Sequence, residues 1–239
     1  MQPDDSRPDK GDVTAMLMEI LVGAESTESF LGDLARAVVA QIPNAVACGV
    51  SVPSTEWSRL LGATSDDVAR RMDAVQYDAH DGPCLTALRD GVTVAVDDLP
   101  GDLRWPEFTR RGRQEGVGTS LSVPMLVSGQ VVGALNLYGQ TVRSLSDDHV
   151  LAHRFAEQAA VAVALGLRLA DREEQARHLE KALRYRSAID QAIGILMARL
   201  HVDESTAFDV LRQRSQHTNI KVHDVARAVI AEISPDEPT

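Results

Sequence analysis

The sequence predicts an α+β protein: an N-terminal antiparallel sheet flanked by helices, a long connecting helix, and a C-terminal three-helix module. Three observations carry this reading. Residues 120–127 and 130–138 are β-prone runs joined by Ser128-Gly129, a pair suited to a tight hairpin, and strands so joined run antiparallel. From residue 147 to about 184 the chain contains no proline and one glycine, Gly166, with apolar residues at helical spacing. Beyond residue 185 three short helical patterns follow, which share a core only if they pack together.

In chain order, residues 1–11 and 234–239 read as tails, the first rich in Asp and Pro and expected to be disordered. A first α/β domain is expected over 12–168, a helical linker over 169–184 and the module over 185–233. Amphipathic helices are predicted at roughly 12–22 and 27–40. Strands at 45–52 and 56–63 precede a helix over 66–75 capped by Ser65. Asp81-Gly82 forms a turn, and Pro83 opens a helix to residue 89, where its missing N–H costs nothing. Residues 92–96 (VTVAV) form the next strand. The helix from 147 to 184 spans roughly 50 Å at 1.5 Å per residue, more than its own sheet needs. Leu165, Leu169, Ala176, Leu179 and Leu183 resemble a short coiled-coil seam interrupted by Arg172.

In the module, Ile189, Ala192, Ile193, Leu196, Met197 and Leu200 form one apolar face. Asp203 caps the second helix, which holds Ala207, Phe208, Val210 and Leu211. Asn219 or a neighbour opens the third, with Val222, Val225, Ala226, Val229, Ile230 and Ile233 on one face.

Composition narrows the function. The net charge of −11 argues against nucleic-acid binding by the whole surface, but residues 184–230 carry +2, leaving −13 elsewhere. The longest apolar stretch, residues 159–167, is far short of the ~20 a membrane-spanning helix requires. The N-terminus is polar and acidic, unlike a signal peptide, so a cytoplasmic protein without membrane contact is expected. Phosphate-binding loop, zinc-protease, nucleophile-elbow, EF-hand and CxxC motifs are missing, so neither enzyme activity nor a metal is expected.

The candidate residues fall in two groups. Tyr77, Trp105 and Phe108, placed in loops flanking the sheet, could line a small-molecule pocket, with Asp97, Ser120 and Asn136 as polar contacts. Packing is the simpler role for each. Cys84, at a helix start, could have its thiol pKa lowered by the helix dipole and sense oxidants, or be a small buried residue; both cysteines read as reduced. In the module, Gly194 sits mid-helix, at a cost of about 1 kcal/mol that close packing or a partner must offset. With Gln191, Ile195 and Ala198 it forms a thin strip. Arg186, Arg212, Arg214 and Lys221, with Asn219, supply cations and an amide able to contact phosphates and unstacked bases.

These residues carry two resemblances. Ile189-x-x-Ala192-x-Gly194-Ile195-Leu196-Met197, then Ala207-Phe208-x-x-Leu211, Asn219-x-Lys221 and Val225-Ala226 resemble the ANTAR domain. Many members carry Lys where this chain has Ile193, so a cation able to meet RNA is missing. Residues from about 12 to 168 resemble a GAF domain of the kind that precedes ANTAR modules in actinobacteria. That likeness rests on Asp81-Gly82-Pro83-Cys84-Leu85, Trp105-Pro106-x-Phe108, Leu121-Ser122-Val123-Pro124, Gly133-Ala134-Leu135-Asn136-Leu137-Tyr138 and Phe155-Ala156-x-Gln158-Ala159-Ala160. The Asn-Lys-Phe-Asp-Glu signature of cyclic-nucleotide-binding GAF domains is absent.

The resemblance implies a transcription antitermination regulator: a homodimer through the long helix, binding RNA with paired stem-loops. It implies no fixed cofactor, leaving an unidentified small-molecule ligand for the GAF-like domain. Two rival readings are a DNA-binding regulator using the last two helices, and a ligand or redox sensor acting through protein association. Duplex DNA fits less well, because the third helix, NIKVHDVARAV, offers few long side chains to a major groove.

Overall fold

The computed structural model describes residues 10–53 and 60–233, with side chains from residue 13. The expected tails and the first part of the strand expected over 56–63 lie outside these residues, except that residues 10 and 11 already belong to the first helix. The chain forms two units, Met1–Ala170 and Asp171–Thr239.

In the first unit the order is α1 (Lys10–Gly23), α2 (Thr27–Gln41), β1 (Ala47–Pro53), β2 (Leu60–Thr64), α3 (Asp67–Ala79) and α4 (Pro83–Asp90). β3 (Val94–Val96), α5 (Pro106–Glu115), β4 (Thr119–Val127) and β5 (Gln130–Gly139) follow, and then α6 (His149–Leu200). The strands form one antiparallel sheet of order β2-β1-β5-β4-β3. The β4–β5 hairpin turns through Ser128 (φ 51°) and Gly129 (φ 79°), both left-handed, which matches the strand twist.

Side chains alternate across a strand, and here the two sheet faces differ in chemistry. Cys48, Val50, Val52, Leu121, Val123, Leu135 and Leu137 line an apolar face packed against Leu17, Phe30 and Leu34 and against Phe155, Ala159 and Val163 of α6. The opposite face carries Gly49, Ser51, Ser120, Ser122, Asn136 and Tyr138, paired in register. It is covered by residues of α3, α4 and α5, including Met72, Cys84 and Phe108.

Several local expectations are corrected. Asp66, not Ser65, caps α3, its carboxylate accepting from the Ala69 N–H at 2.9 Å. Ser65 instead accepts from the Cys48 N–H at 2.9 Å. The loop expected around Phe108 is the helix α5, started by Pro106 and ended by Gly116 in the left-handed region. Its sequence, PEFTRRGRQE, buries only Phe108, Thr109 and Gly112, too little apolar periodicity to betray a helix. Tyr77 likewise lies within α3.

α6 runs without a break for 52 residues, so the linker and the first helix of the module are one helix. Gly166 and Gly194 are its only glycines, and no proline interrupts it. One stretch of α6 is long and apolar enough to cross a membrane by composition, but Phe155, Ala156, Ala159, Ala160 and Val163 are buried against the sheet.

In the second unit the end of α6 packs with α7 (Glu204–Thr218) and α8 (Val222–Ala231). The core comprises Ala192, Ile193, Leu196, Ala207, Leu211, Val225, Ala226 and Val229. Asp203 caps α7, accepting from the Thr206 N–H at 2.8 Å. Asn219 does not open α8: it ends α7 in the left-handed region (φ 54°), and Lys221 precedes the first turn of α8. Met197, Leu200, Phe208 and Ile233, expected on apolar faces, are exposed, because three short helices enclose only the centre of their interface.

Candidate functional site

The polar face of the sheet and the helices over it hold a buried hydrogen-bonded cluster. On α3 the buried positions are Ala69, Met72, Asp73 and Gln76, a core-facing spacing that places two polar side chains inside. Asp73 lies against Gly49: a Cβ there would fall 1.8 Å from its Oδ2, so only glycine leaves room for the carboxyl. Asp73 Oδ1 accepts from the Tyr138 hydroxyl and from Asn136 Nδ2 at 3.0 Å. Asn136 Nδ2 also donates to Ser51 Oγ at 3.1 Å, and that hydroxyl shares a hydrogen bond with Tyr77 and accepts from Cys84 Sγ at 3.2 Å. Gln76 Oε1 accepts from the Cys84 N–H at 2.8 Å, so α3 supplies the side-chain cap that Gly82 cannot give α4.

Three buried atoms on this face have no partner among the described residues: Asp73 Oδ2, Asn136 Oδ1 and Ser120 Oγ. All three can accept a hydrogen bond, and such orphans mark a place where a ligand or water would be stabilised. Burial pushes the Asp73 carboxyl up to about 7, with the bonds from Tyr138 and Asn136 opposing the rise. Beside it, at the sheet edge, a groove of ≈ 690 Å³ opens between α2, β2 and α3, with Arg36, Gly62, Arg70, Asp73 and Tyr77 in its lining.

Of the expected pocket residues, the cluster joins Tyr77 and Asn136, with Ser120 on the same face. Phe108 is a core residue, its ring 6.4 Å from that of Tyr138. Trp105 anchors the start of α5 by donating to Asp81 at 3.1 Å. Asp97 is exposed, outside the cluster, because the chain leaves the sheet at the end of β3. Asp73, Gln76, Ser51 and Tyr138 were not among the expected pocket residues, although an acidic residue on the apolar face of α3 was a legible signal.

Cys84 does not have the depressed pKa expected of a redox sensor at a helix start. It is fully buried, and desolvation, then the nearby Asp73 carboxyl, push its thiol up to about 12. Burial outweighs the dipole of an eight-residue helix. Cys48 is likewise buried, with its pKa raised first by desolvation. Both thiols are therefore expected to resist iodoacetamide in the folded chain and react once it is denatured in urea, as followed by mass spectrometry. Alkylation of native Cys84 at the rate of free cysteine would refute this.

On the second unit the expected contact residues lie on different faces. Gln191 and Gly194 are exposed, one helical step away from the buried Ala192 and Ile193. A Cβ on Gly194 would meet nothing within 4 Å, so packing inside the module does not explain the glycine. Ile193, in contrast, is a core residue, 8% exposed. Arg186 pairs with Asp190 at 3.8 Å and Arg212 with Asp209 at 2.9 Å, while Arg214 and Arg199 converge on Glu232. These pairs are solvent-exposed, a setting in which such contacts hold an arginine only weakly. Asn219 and Lys221 sit together at the turn between α7 and α8.

An antiparallel sheet with a polar buried face, followed in the chain by a small helical module, defines a two-domain protein of the α+β class. Residues 24–164 match the GAF domain family and residues 177–230 the ANTAR domain. The first match spans more than half of the chain, which thus belongs to the GAF domain family and carries an ANTAR domain behind it. Among solved structures, the chain is similar to the free methionine-R-sulfoxide reductase from Neisseria meningitidis in complex with its substrate. The identity there is 15%, the TM-score 0.50, and the match covers 71% of this chain and 96% of that one. It is also similar to the GAF domain of A. aeolicus nlh2 in an inactive state, at 13% identity and a TM-score of 0.49 over 65% of this chain and 96% of that one. At 15% identity the likeness concerns the fold alone. No curated protein matches the sequence.

Proposed function

We propose that this chain is a cytoplasmic, non-catalytic transcription antitermination regulator, whose ANTAR module binds paired RNA stem-loops under control of the GAF domain. The match of residues 177–230 to the ANTAR domain carries the reading. Charge supports it, since residues 184–230 carry +2 while the rest of the chain carries −13, which favours approach of RNA to that segment. The exposed face of Gln191 and Gly194, with Arg186, Arg212, Arg214, Asn219 and Lys221, supplies cations, amides and a smooth approach to loop bases.

Dimerisation through α6 belongs to the same reading. Leu165, Leu169, Leu179 and Leu183 are 42, 50, 62 and 59% exposed, an apolar row that a second copy would cover. A pocket ligand would act by binding more tightly to one arrangement of the helix pair than to the other.

The full chain should retard a tandem-hairpin RNA but not a loop-scrambled RNA or duplex DNA, with affinity falling as salt rises. Equal retention of both RNAs would end the sequence-specific reading. Asn219→Gly preserves the left-handed helix end without a Cβ. It should weaken RNA binding at unchanged melting temperature, whereas unchanged affinity would restrict Asn219 to its capping role.

A further inference from the structure

The second unit has a feature that none of these residues accounts for. Where α8 meets α6, the rings of Tyr185 and His223 stack with centroids 3.6 Å apart and planes 15° from parallel. Lys181 Nζ lies 5.7 Å and the Arg227 guanidinium 5.8 Å from the Tyr185 ring centroid, both within cation–π reach. Lys181, Arg184 and Tyr185 recur at i, i+3 and i+4, so they share one side of α6. Lys181 and Arg184 are exposed, and neither has a carboxylate partner among the described residues. Asp224 lies 3.5 Å from His223 and 4.0 Å from Arg227.

A tyrosine serving the core would put its ring among the module's apolar side chains. Tyr185 is outside that cluster, half-buried, with Lys181 and Arg227 beside its ring and His223 stacked on it. The second unit has only one other aromatic residue of the Phe, Tyr and Trp kind, Phe208. A flat ring framed by mobile cations is the arrangement that receives an unstacked base: the base takes the ring, and the cations swing to the phosphates on either side.

We propose that this flank of α6 and α8 is an RNA contact surface, in which Tyr185, backed by His223, stacks an unpaired loop base while Lys181, Arg184 and Arg227 hold the adjoining phosphates. The proposal rests on the RNA-binding reading and deepens it. It adds a base-stacking site apart from the Gly194 face.

The test uses the full chain and the tandem-hairpin RNA. Tyr185→Ala should lower affinity about tenfold or more, as loss of one stacked base does, while Tyr185→Phe retains it. Tyr185→Trp should also bind, and its emission should be quenched by the hairpin RNA but not by the same RNA with abasic loops. Lys181→Gln with Arg227→Gln should reduce the slope of log affinity against log salt by about 0.7 per lost contact. Wild-type affinity in a folded Tyr185→Ala chain overturns the proposal. If that variant unfolds, absence of quenching in Tyr185→Trp overturns it equally. Failure of the wild-type chain to distinguish the hairpin RNA from its scrambled control removes the RNA reading itself, and the platform with it.

Discussion

Replacing Asp73 by Asn should make the first unit more stable at pH 8 and abolish most of the fall in stability expected of the natural chain between about pH 4 and pH 7. The sign follows from the raised carboxyl: the folded state keeps its proton up to about pH 7, while the unfolded chain releases it near the ordinary value of 3.8. Between those limits the folded state binds more protons, so stability decreases as pH rises and levels off above 7. Three pKa units correspond to roughly 4 kcal/mol, a large share of the 5–15 kcal/mol typical of a domain. Carboxylates paired in the folded state, such as Glu115 with Arg71, act in the opposite direction but only in more acid solution. Urea unfolding followed by tryptophan fluorescence tests this, since Trp105 belongs to the first unit and the second unit's sequence contains no tryptophan. Equal urea midpoints for the natural chain at pH 5 and pH 8 would mean that Asp73 is not the buried acid described here.

The second large effect concerns the module. Ala192, Ala207 and Ala226 are fully buried where α6, α7 and α8 meet, and their small side chains let the three backbones approach. Ala226→Leu adds three carbons at a point without room for them, and overpacking of this kind costs typically 1–3 kcal/mol. Cores in domains this small rarely provide more than about 3–5 kcal/mol. The variant is therefore expected to lose the helical circular dichroism of the module and at least about tenfold in RNA affinity, a factor that 1.4 kcal/mol already produces. Tryptophan emission from the first unit should stay unchanged. A folded variant that binds RNA normally would show that the three helices do not depend on that contact.

The two domains differ in how far their sequences reveal them. In the module, Asp203 announces the start of α7, and the recurrence of Ile189, Ala192, Ile193 and Leu196 announces the buried side of α6, because both signals act within a few residues. The hairpin at Ser128-Gly129 is legible for the same reason. Helix α5 is not, since only Phe108, Thr109 and Gly112 are buried and its ends depend on Pro106 and Gly116. Asn219 misleads in another way: the same residue suits a helix start and a left-handed helix end, and local sequence does not separate the two.

The candidate site divides along the same line. Alternation in β1, β4 and β5 reveals one apolar and one polar sheet face, so Ser120 and Asn136 are visible as polar strand residues. What they meet is decided by the helices crossing them. Asp73 is 24 residues after Gly49 in the chain, and only the fold places its carboxyl on that glycine. Cys84 shows the consequence most directly, because a helix start suggests a reactive thiol, whereas its burial beside Asp73 raises the pKa instead.

The amino-acid order by itself determined the strand and helix periods, the hairpin, the helix caps that act locally, and the segregation of charge toward the C-terminal module. Those properties depend on neighbours within about a turn of helix or a strand pair. The tertiary structure decided which polar side chains are buried together, which thiols are sheltered, and that Tyr185 and His223, 38 residues apart, stack in a cationic frame. Desolvation and ring stacking depend on distances in space between residues far apart in the chain, and no local pattern encodes them.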